Sequence, residues 1–242
     1  MRVAIYSDIH ANPEAFAAVL EDARALRVDA SVCVGDCVSY GPDSEGAATM
    51  VRERGIPCVR GNHELALVER RHLNWFNPVS RTAVDIADAE LSAATREWMR
   101  GLPMSLTLHG AHFVHGFPPA SAKLYLHQAS ETLIESRMFA LPVPVCCIGH
   151  THELRLLRVR RGSVEWDELP EGETRLGGAD RYLVNVGSVG QPRDGDPRAK
   201  YVIWEPERMA MTVRFVGYDH AAVAARIRAR GIPEQFARRL EG

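Results

Sequence analysis

The sequence predicts an α/β fold with parallel strands and crossover helices near its start. Three observations carry this. Short apolar runs of strand length recur at Val3, Ala30 and Pro57. Patterns with helical spacing separate them. From residue 104 onward strand patterns return in quick succession, so a second strand-rich half follows the first.

In order, VAIY (3–6) reads as a buried strand. Asn12-Pro13-Glu14 then starts a helix, with Asn as cap and Pro in the first turn. Phe16, Val19, Leu20, Ala23 and Leu26 continue that helix on one face. ASVCVGD is a second strand, followed by a Gly-Pro-Asp turn and a helix through Val51. PCVRGNHE is expected to supply a third. Residues 65–103 lose strand character and carry helical patterns, with Trp75, Phe76 and Pro78 at a break between them. Those aromatics suit core packing or a lid over a site. SLTLHGAHFVHG and PVCCIGHTH restore strands, and LRLLRVRRGSVEWDEL reads as a hairpin turning at Arg161-Gly162. RYLVNVGSV, KYVIWEPE and MTVRFVGYD complete the second half, before an amphipathic helix broken at Gly231-Ile232-Pro233. No linker or repeat divides the chain, so one domain spanning 1–242, with a helical insertion at about 65–103, is expected.

Composition narrows the function. The 242 residues are 46% hydrophobic and 25% charged, with a net charge of −2, an ordinary globular balance that recruits neither nucleic acid nor anionic membrane. No apolar run has the length of a membrane span, and the chain opens directly into a strand, so a cytoplasmic location is expected. The five cysteines lie in or beside apolar runs without a framework spacing, which suits buried free thiols in a reducing compartment.

Polar residues collect where strand patterns end: SDIH (7–10), VGDCV (34–38), RGNHE (60–64), VHG (114–116) and GHTH (149–152). Asp8 and His10, two apart, leave the same face of extended chain. Alone they suit a metal half-site, a catalytic pair or a simple turn. Five such clusters following strand ends converge on one rim of an α/β fold. That rim gathers Asp8, His10, Asp36, Asn62, His63, His115, His150 and His152. So many carboxylates and imidazoles need a cation, and their mixed oxygen and nitrogen donors favour Mn, Fe, Zn, Co or Ni over Ca or Mg. The number of donors suits two ions.

The ordered set D-x-H, G-D, G-N-H-E, H and G-H-x-H resembles the calcineurin-like metallophosphoesterases. GSVGQPRDGDPRA (187–199) and the Ala-rich tail extend the likeness to small bacterial YfcE-type and diadenosine-tetraphosphatase-like members. The resemblance implies a four-layer α/β/β/α sandwich of two mixed sheets, with a dinuclear site between them. By the family pattern Asp8, His10 and His152 hold one metal and Asn62, His115 and His150 the other. Asp36 bridges them, since a carboxylate has two oxygens to offer two cations. The ions would be two divalent or mixed-valence transition metals, manganese foremost. A hydroxide between them would attack a phosphoryl group, and His63 would protonate the leaving oxygen.

The implied substrate is a small phosphodiester or nucleotide-type phosphate ester. Phosphomonoester or protein-phosphatase activity is the enzymatic alternative, and a non-catalytic protein-binding scaffold the other. A nucleic-acid exonuclease is disfavoured by the charge balance. One departure matters. Protein phosphatases of this superfamily carry G-D-x-V-D-R-G where this chain has GDCVSYG, so Ser39 and Tyr40 replace an Asp that supports the acid histidine and an Arg that grips phosphate. Arg60 and Arg193 are other available cations. Cys37 is expected to line the site rather than ligate. His72, His109, His112, His127 and His220 are expected at the surface.

Overall fold

In the computed structural model, which describes residues 1–177 and 180–242, two mixed β-sheets stack face to face between helices. The first sheet has the order β2 (Ala30–Cys33), β1 (Val3–Tyr6), β10 (Ala199–Glu205), β11 (Ala210–Val216), β8 (Gly172–Arg175), with β1 and β2 parallel and the other pairs antiparallel. The second has the order β3 (Ser105–Leu108), β4 (Ala111–Val114), β5 (Val145–Ile148), β9 (Arg181–Val186), β6 (Leu154–Arg160), β7 (Ser163–Glu168). There β4, β5 and β9 run parallel, and β3, β6 and β7 pair antiparallel.

The twofold alternation of strands builds the layers. Val3 and Ile5 of β1 face inward and pack with Phe113, Val145, Val184 and Trp204 between the sheets. Ala4 and Tyr6 face outward, onto Phe16 and Val19 of α1 (Pro13–Ala25) and Val51 of α2 (Ser44–Glu53). On the opposite side, Cys146, Ile148 and Leu183 pack on Ile134 and Met138 of α6 (Glu131–Ala140). This is the α/β/β/α sandwich that the family resemblance implied.

Local signals hold where they were strongest. The Asn12 side chain accepts from the N–H of Ala15 at 3.0 Å and caps α1. The β6–β7 hairpin pairs Arg160 with Ser163 around Arg161-Gly162. The tail forms α7 (His220–Ala229) and α8 (Glu234–Arg238). The third expected strand is a correction. Around Cys58 there is one parallel bridge, to Cys33, because Pro57 has no N–H and the Arg60 N–H bonds to the Pro103 carbonyl. The chain then enters α3 (Asn62–Val68), a short 3₁₀ turn (Arg70–Trp75), α4 (Pro78–Glu90) and α5 (Ala93–Gly101). Strand β8, whose GETR has no apolar alternation, was not expected. It exists because it pairs with β11 at the sheet edge.

Candidate metal centre

The parallel strands β1 and β2 of one sheet, and β4 and β5 of the other, deliver their following loops to one place. After β1, Asp8 and His10 adopt left-handed backbone, with φ of 52° and 45°; after β2, Asp36 has φ 55°; after β5, His150 and His152 have φ 70° and 64°. Each such non-glycine residue costs roughly 1–3 kcal/mol and persists only where surrounding structure over-determines it. Here it does. The N–H groups of Asp8, His10 and Ala11 bond to the carbonyls of Gly35, Asp36 and Cys37, which locks the first two loops together. Val189 and Gly190 donate to the carbonyls of Ser7 and Asp8, so the segment 187–191 buttresses the first loop from the other side. A Cβ at Gly61 would collide with the Asp36 carboxylate and backbone, and one at Gly149 with Ser7 and Asp8, so only glycine admits these loops so close.

The buried side chains converge with consistent polarity. His10 Nδ1 lies 3.2 Å from the Val38 carbonyl, His115 Nδ1 2.8 Å from that of Val34, and His152 Nδ1 2.6 Å from that of Gln191. His150 Nε2 lies 3.1 Å from the Lys123 carbonyl. A carbonyl only accepts, so each of these nitrogens carries a proton; the other nitrogen of His10, His150 and His152 is left for a cation, while that of His115 faces the acceptors Asp36 and Asn62. Asp8 is similarly divided. Its Oδ2 accepts from Ser7 Oγ at 2.6 Å and the His150 N–H at 3.1 Å, while Oδ1 is buried with no hydrogen-bond donor. That Oδ1 is 3.5 Å from His10 Nε2 and 3.3 Å from His152 Nε2.

Asp36 joins two groups of donors. Its Oδ2 lies 3.7 Å from His10 Nε2 and 3.2 Å from His115 Nε2, and His115 Nε2 is 3.0 Å from Asn62 Oδ1. Its Oδ1 accepts the His63 N–H at 3.0 Å. Oδ2 thus lies within reach of both groups.

Electrostatics make the same demand. Burial opposes ionisation of Asp8, but the adjacent imidazoles of His10 and His115 and the Ser7 hydroxyl prevail and bring its pKa down to about 2. Burial likewise works against Asp36, yet His115 and His63 hold it well below the usual carboxylate range. Burial favours neutral His115, but the Asp36 charge and hydrogen bond push it up to about 10. Burial lowers His150 to about 4 and holds His152 well below its ordinary value. The cluster thus demands positive charge beside Asp36 and keeps His150 and His152 as neutral donors. His/Asp groups of metal-binding size occur at Asp8, His10 and His152 and at Asp36, His115 and His150, and these residues fit divalent ions.

Residues 1–209 match the calcineurin-like phosphoesterase superfamily domain. The chain belongs to this superfamily. The crystal structure of a metallophosphoesterase from Sphaerobacter thermophilus has 36% identity and a TM-score of 0.86, covering 100% of this chain and 98% of that one. An uncharacterized protein of Methanocaldococcus jannaschii is 26% identical over 98% of this chain and 96% of its own length. Serine/threonine-protein phosphatase 1 of Salmonella typhimurium is 30% identical over 61% of this chain and 77% of its own. Membership in the calcineurin-like superfamily places the chain among metal-dependent phosphoester hydrolases.

All eight rim residues read from the sequence are buried and brought together. His63 presents its ring to His10 at 4.8 Å, Tyr40 at 4.4 Å and Phe76 at 4.7 Å. Its Nδ1 has no hydrogen-bond partner and its Nε2 lies 3.9 Å from Asp36 Oδ2. With Ser39 in place of an acid, no carboxylate among the described residues orients its other nitrogen. Burial lowers its pKa to about 3 and keeps it neutral. Cys37 turns its Sγ into the core, 3.6 Å from Cys33 Sγ. Arg60 donates to the Arg100 carbonyl and does not line the cleft, whereas Arg193 does. Of the other histidines, His112 is a correction. It is buried between Thr107 and the Pro119 carbonyl, away from the site.

Glu64, Lys123 and Tyr125 were not identified as members of the site from the sequence. Glu64 accepts from the N–H groups of Asp36, Cys37 and Gly61 at 2.9, 2.6 and 2.9 Å, and so holds the Asp36 loop against α3. Its place in GNHE was its only signal. A cleft opens beside the donors, lined by Tyr40, Trp75, Phe76, Lys123, Tyr125 and Arg193 among others. Tyr125 stacks on His150 at 3.8 Å and Tyr40 on Phe236 of α8 at 4.2 Å.

Proposed function

We propose that the protein is a dinuclear metal-dependent phosphoesterase acting on small phosphodiesters or nucleotide-type phosphate esters. The observation that carries this is Asp36 Oδ2 lying between His10 on one side and His115 on the other. Asp8, His10 and His152 would hold one ion, Asn62, His115 and His150 the second, and Asp36 both. Manganese is our first choice. Ions held there supply Lewis acidity toward phosphoryl oxygens and an ionised water as nucleophile.

The chain's own residues do the rest. Glu64 and the 187–191 segment keep the donor loops in place before substrate arrives. His63, neutral in the free site, offers an N–H to the leaving oxygen as negative charge develops there. Tyr40, pressed between His63 and Phe236, occupies the place of a phosphate-gripping arginine and excludes water from that wall. Trp75, Phe76 and Tyr125 leave an aromatic-walled space for a second substituent, which favours diesters. We treat the chain as one domain, whose 65–103 insertion supplies part of this wall.

The likeness to the Salmonella phosphatase favours a second reading, a monoesterase. Turnover of bis(p-nitrophenyl) phosphate against p-nitrophenyl phosphate by metal-loaded protein decides between them. A higher kcat/KM for the diester is expected, and the opposite order favours the monoesterase.

A further inference from the structure

Of the 29 lysine and arginine residues only two are lysines, Lys123 and Lys200, and both are tied to the cleft. Lys123 lines it directly, beside Arg193. Among the described residues neither of these two cations has a carboxylate within ion-pair distance, although most arginines here are paired at the surface. The chain neighbours of Arg193 do not neutralise it. Asp194 is bound by Lys200 Nζ at 2.7 Å and Asp196 by Arg198 at 2.6 Å. Lys200 is 1% exposed, and its ammonium also bonds the Asp196 carbonyl. A buried lysine therefore holds the loop from beneath while Arg193 remains unpaired on the cleft side.

The two cations are placed by the same device. The Lys123 carbonyl accepts from His150, and the Gln191 carbonyl, two residues before Arg193, accepts from His152. Each cation thus rides on a segment anchored to a donor histidine, so its reach relative to the metal centre is set by one side chain. Lys123 Nζ lies 5.1 Å from the centroid of the Trp75 ring. Tyr125, two residues on, stacks on His150. Two unpaired positive charges and two aromatic rings thus flank the space next to the scissile position.

A phosphodiester monoanion lying on two metal ions does not need two further cations. We propose that Lys123 and Arg193 form an anion subsite for a second phosphoryl group of the substrate, with Trp75 and Tyr125 flanking a ring that links the two groups. The substrate class is then a nucleotide-type diester that carries another phosphate. This rests on the phosphoesterase reading above.

The test uses full-length, metal-loaded protein and two compounds with one leaving group: thymidine 5′-(p-nitrophenyl phosphate) and its 3′-phosphorylated counterpart. The extra phosphate is expected to raise kcat/KM by about 10–100-fold, mainly through KM, as charge-assisted bonds to two cations would. Lys123→Met and Arg193→Met should each reduce that ratio about 10-fold, and Lys123→Arg should restore most of it. Raising the salt concentration should shrink the ratio in the wild type. Metal content of Lys123→Met should equal that of the wild type, because its main-chain carbonyl remains to hold His150. Loss of metal in that variant would make Lys123 a support for His150 and overturn the subsite. A wild-type ratio near one, with both compounds hydrolysed, overturns the subsite and leaves the phosphoesterase reading standing. Equal losses on both compounds in the variants assign the cations to the scissile group, which also overturns it. Hydrolysis of neither compound removes the diesterase reading and the subsite together.

Discussion

Nε2 of His10 and Nε2 of His152 face each other at 3.1 Å, although each ring has its Nδ1 proton directed at a backbone carbonyl. In the neutral tautomers two lone pairs then point at one another inside a fully buried cluster, beside the unpartnered Oδ1 of Asp8. Only a cation between them, or a proton on one ring, relieves that arrangement. Burial holds His152 well below its ordinary pKa, so its own Nε2 is better served by a cation than by a proton.

Two metal ions per chain are accordingly expected on elemental analysis of the purified protein. Asp36→Ala should lose both or nearly both, because the Asp36 carboxylate reaches both donor groups. One ion in fully loaded wild type, or two retained in the variant, would refute the dinuclear assignment.

His63→Ala should keep its metals and lose turnover by about 10²–10³-fold, the range for losing a hydrogen-bond donor to negative charge developing in the transition state. The loss should be smaller for nitrophenyl esters, whose leaving oxygens delocalise their charge into the ring, than for alkyl esters. Equal losses on both would reduce His63 to a positioning role against Tyr40 and Phe76.

The metal-free protein should be most stable near pH 6.5. His63, His150 and His152 have lowered pKa values in the fold, about 3 and 4 for the first two, so below 6.5 the unfolded chain binds protons that the native one refuses. Stability therefore falls as pH drops from about 6.5 toward 4. Asp8, lowered to about 2, extends the loss below its unfolded value. Glu64, raised by burial and by Asp36 to about 7, acts oppositely between its unfolded value and 7, one group against three. Above 6.5, stability held by protonated His115 is lost as pH rises through about 10. Thermal unfolding of chelator-treated protein across this range checks the shape. His150→Gln should flatten the acid limb, and an unchanged acid limb in that variant would contradict the assignment.

The C-terminal helix should matter to metal binding as well as to stability. The Gln191 side chain donates to the Phe236 carbonyl at 3.2 Å and accepts from Arg239 at 3.1 Å, and its own carbonyl holds His152. Phe236 is fully buried against Tyr40. Phe236→Ala should cost about 3–5 kcal/mol in chemical denaturation. It should also weaken metal affinity by roughly 10-fold, as loss of support behind a ligand does. Unchanged affinity in the folded variant would confine α8 to packing.

What the sequence determined by itself is local. Strand alternation, the Asn12-Pro13 helix start and the polar residues that terminate apolar runs depend on neighbours a few positions apart. The α/β class and the eight rim residues were therefore legible, while the four-layer sandwich was implied by the resemblance of the ordered motifs to a known family. Only the tertiary structure decided the rest. The left-handed backbone of Asp8, Asp36 and His150 is imposed by hydrogen bonds between loops far apart in sequence. Strand β8 exists through β11, and the Cys58 segment stops at one bridge because Pro57 cannot donate to a ladder. Glu64 acts on an Asp36 loop 28 residues away, and Lys123 on His150 27 residues away through a backbone carbonyl that no side-chain pattern records. Which oxygen of Asp36 faces the donors, and which nitrogen of each histidine, follows from where the competing backbone groups fall. That is set by packing of the two sheets rather than by residue identity.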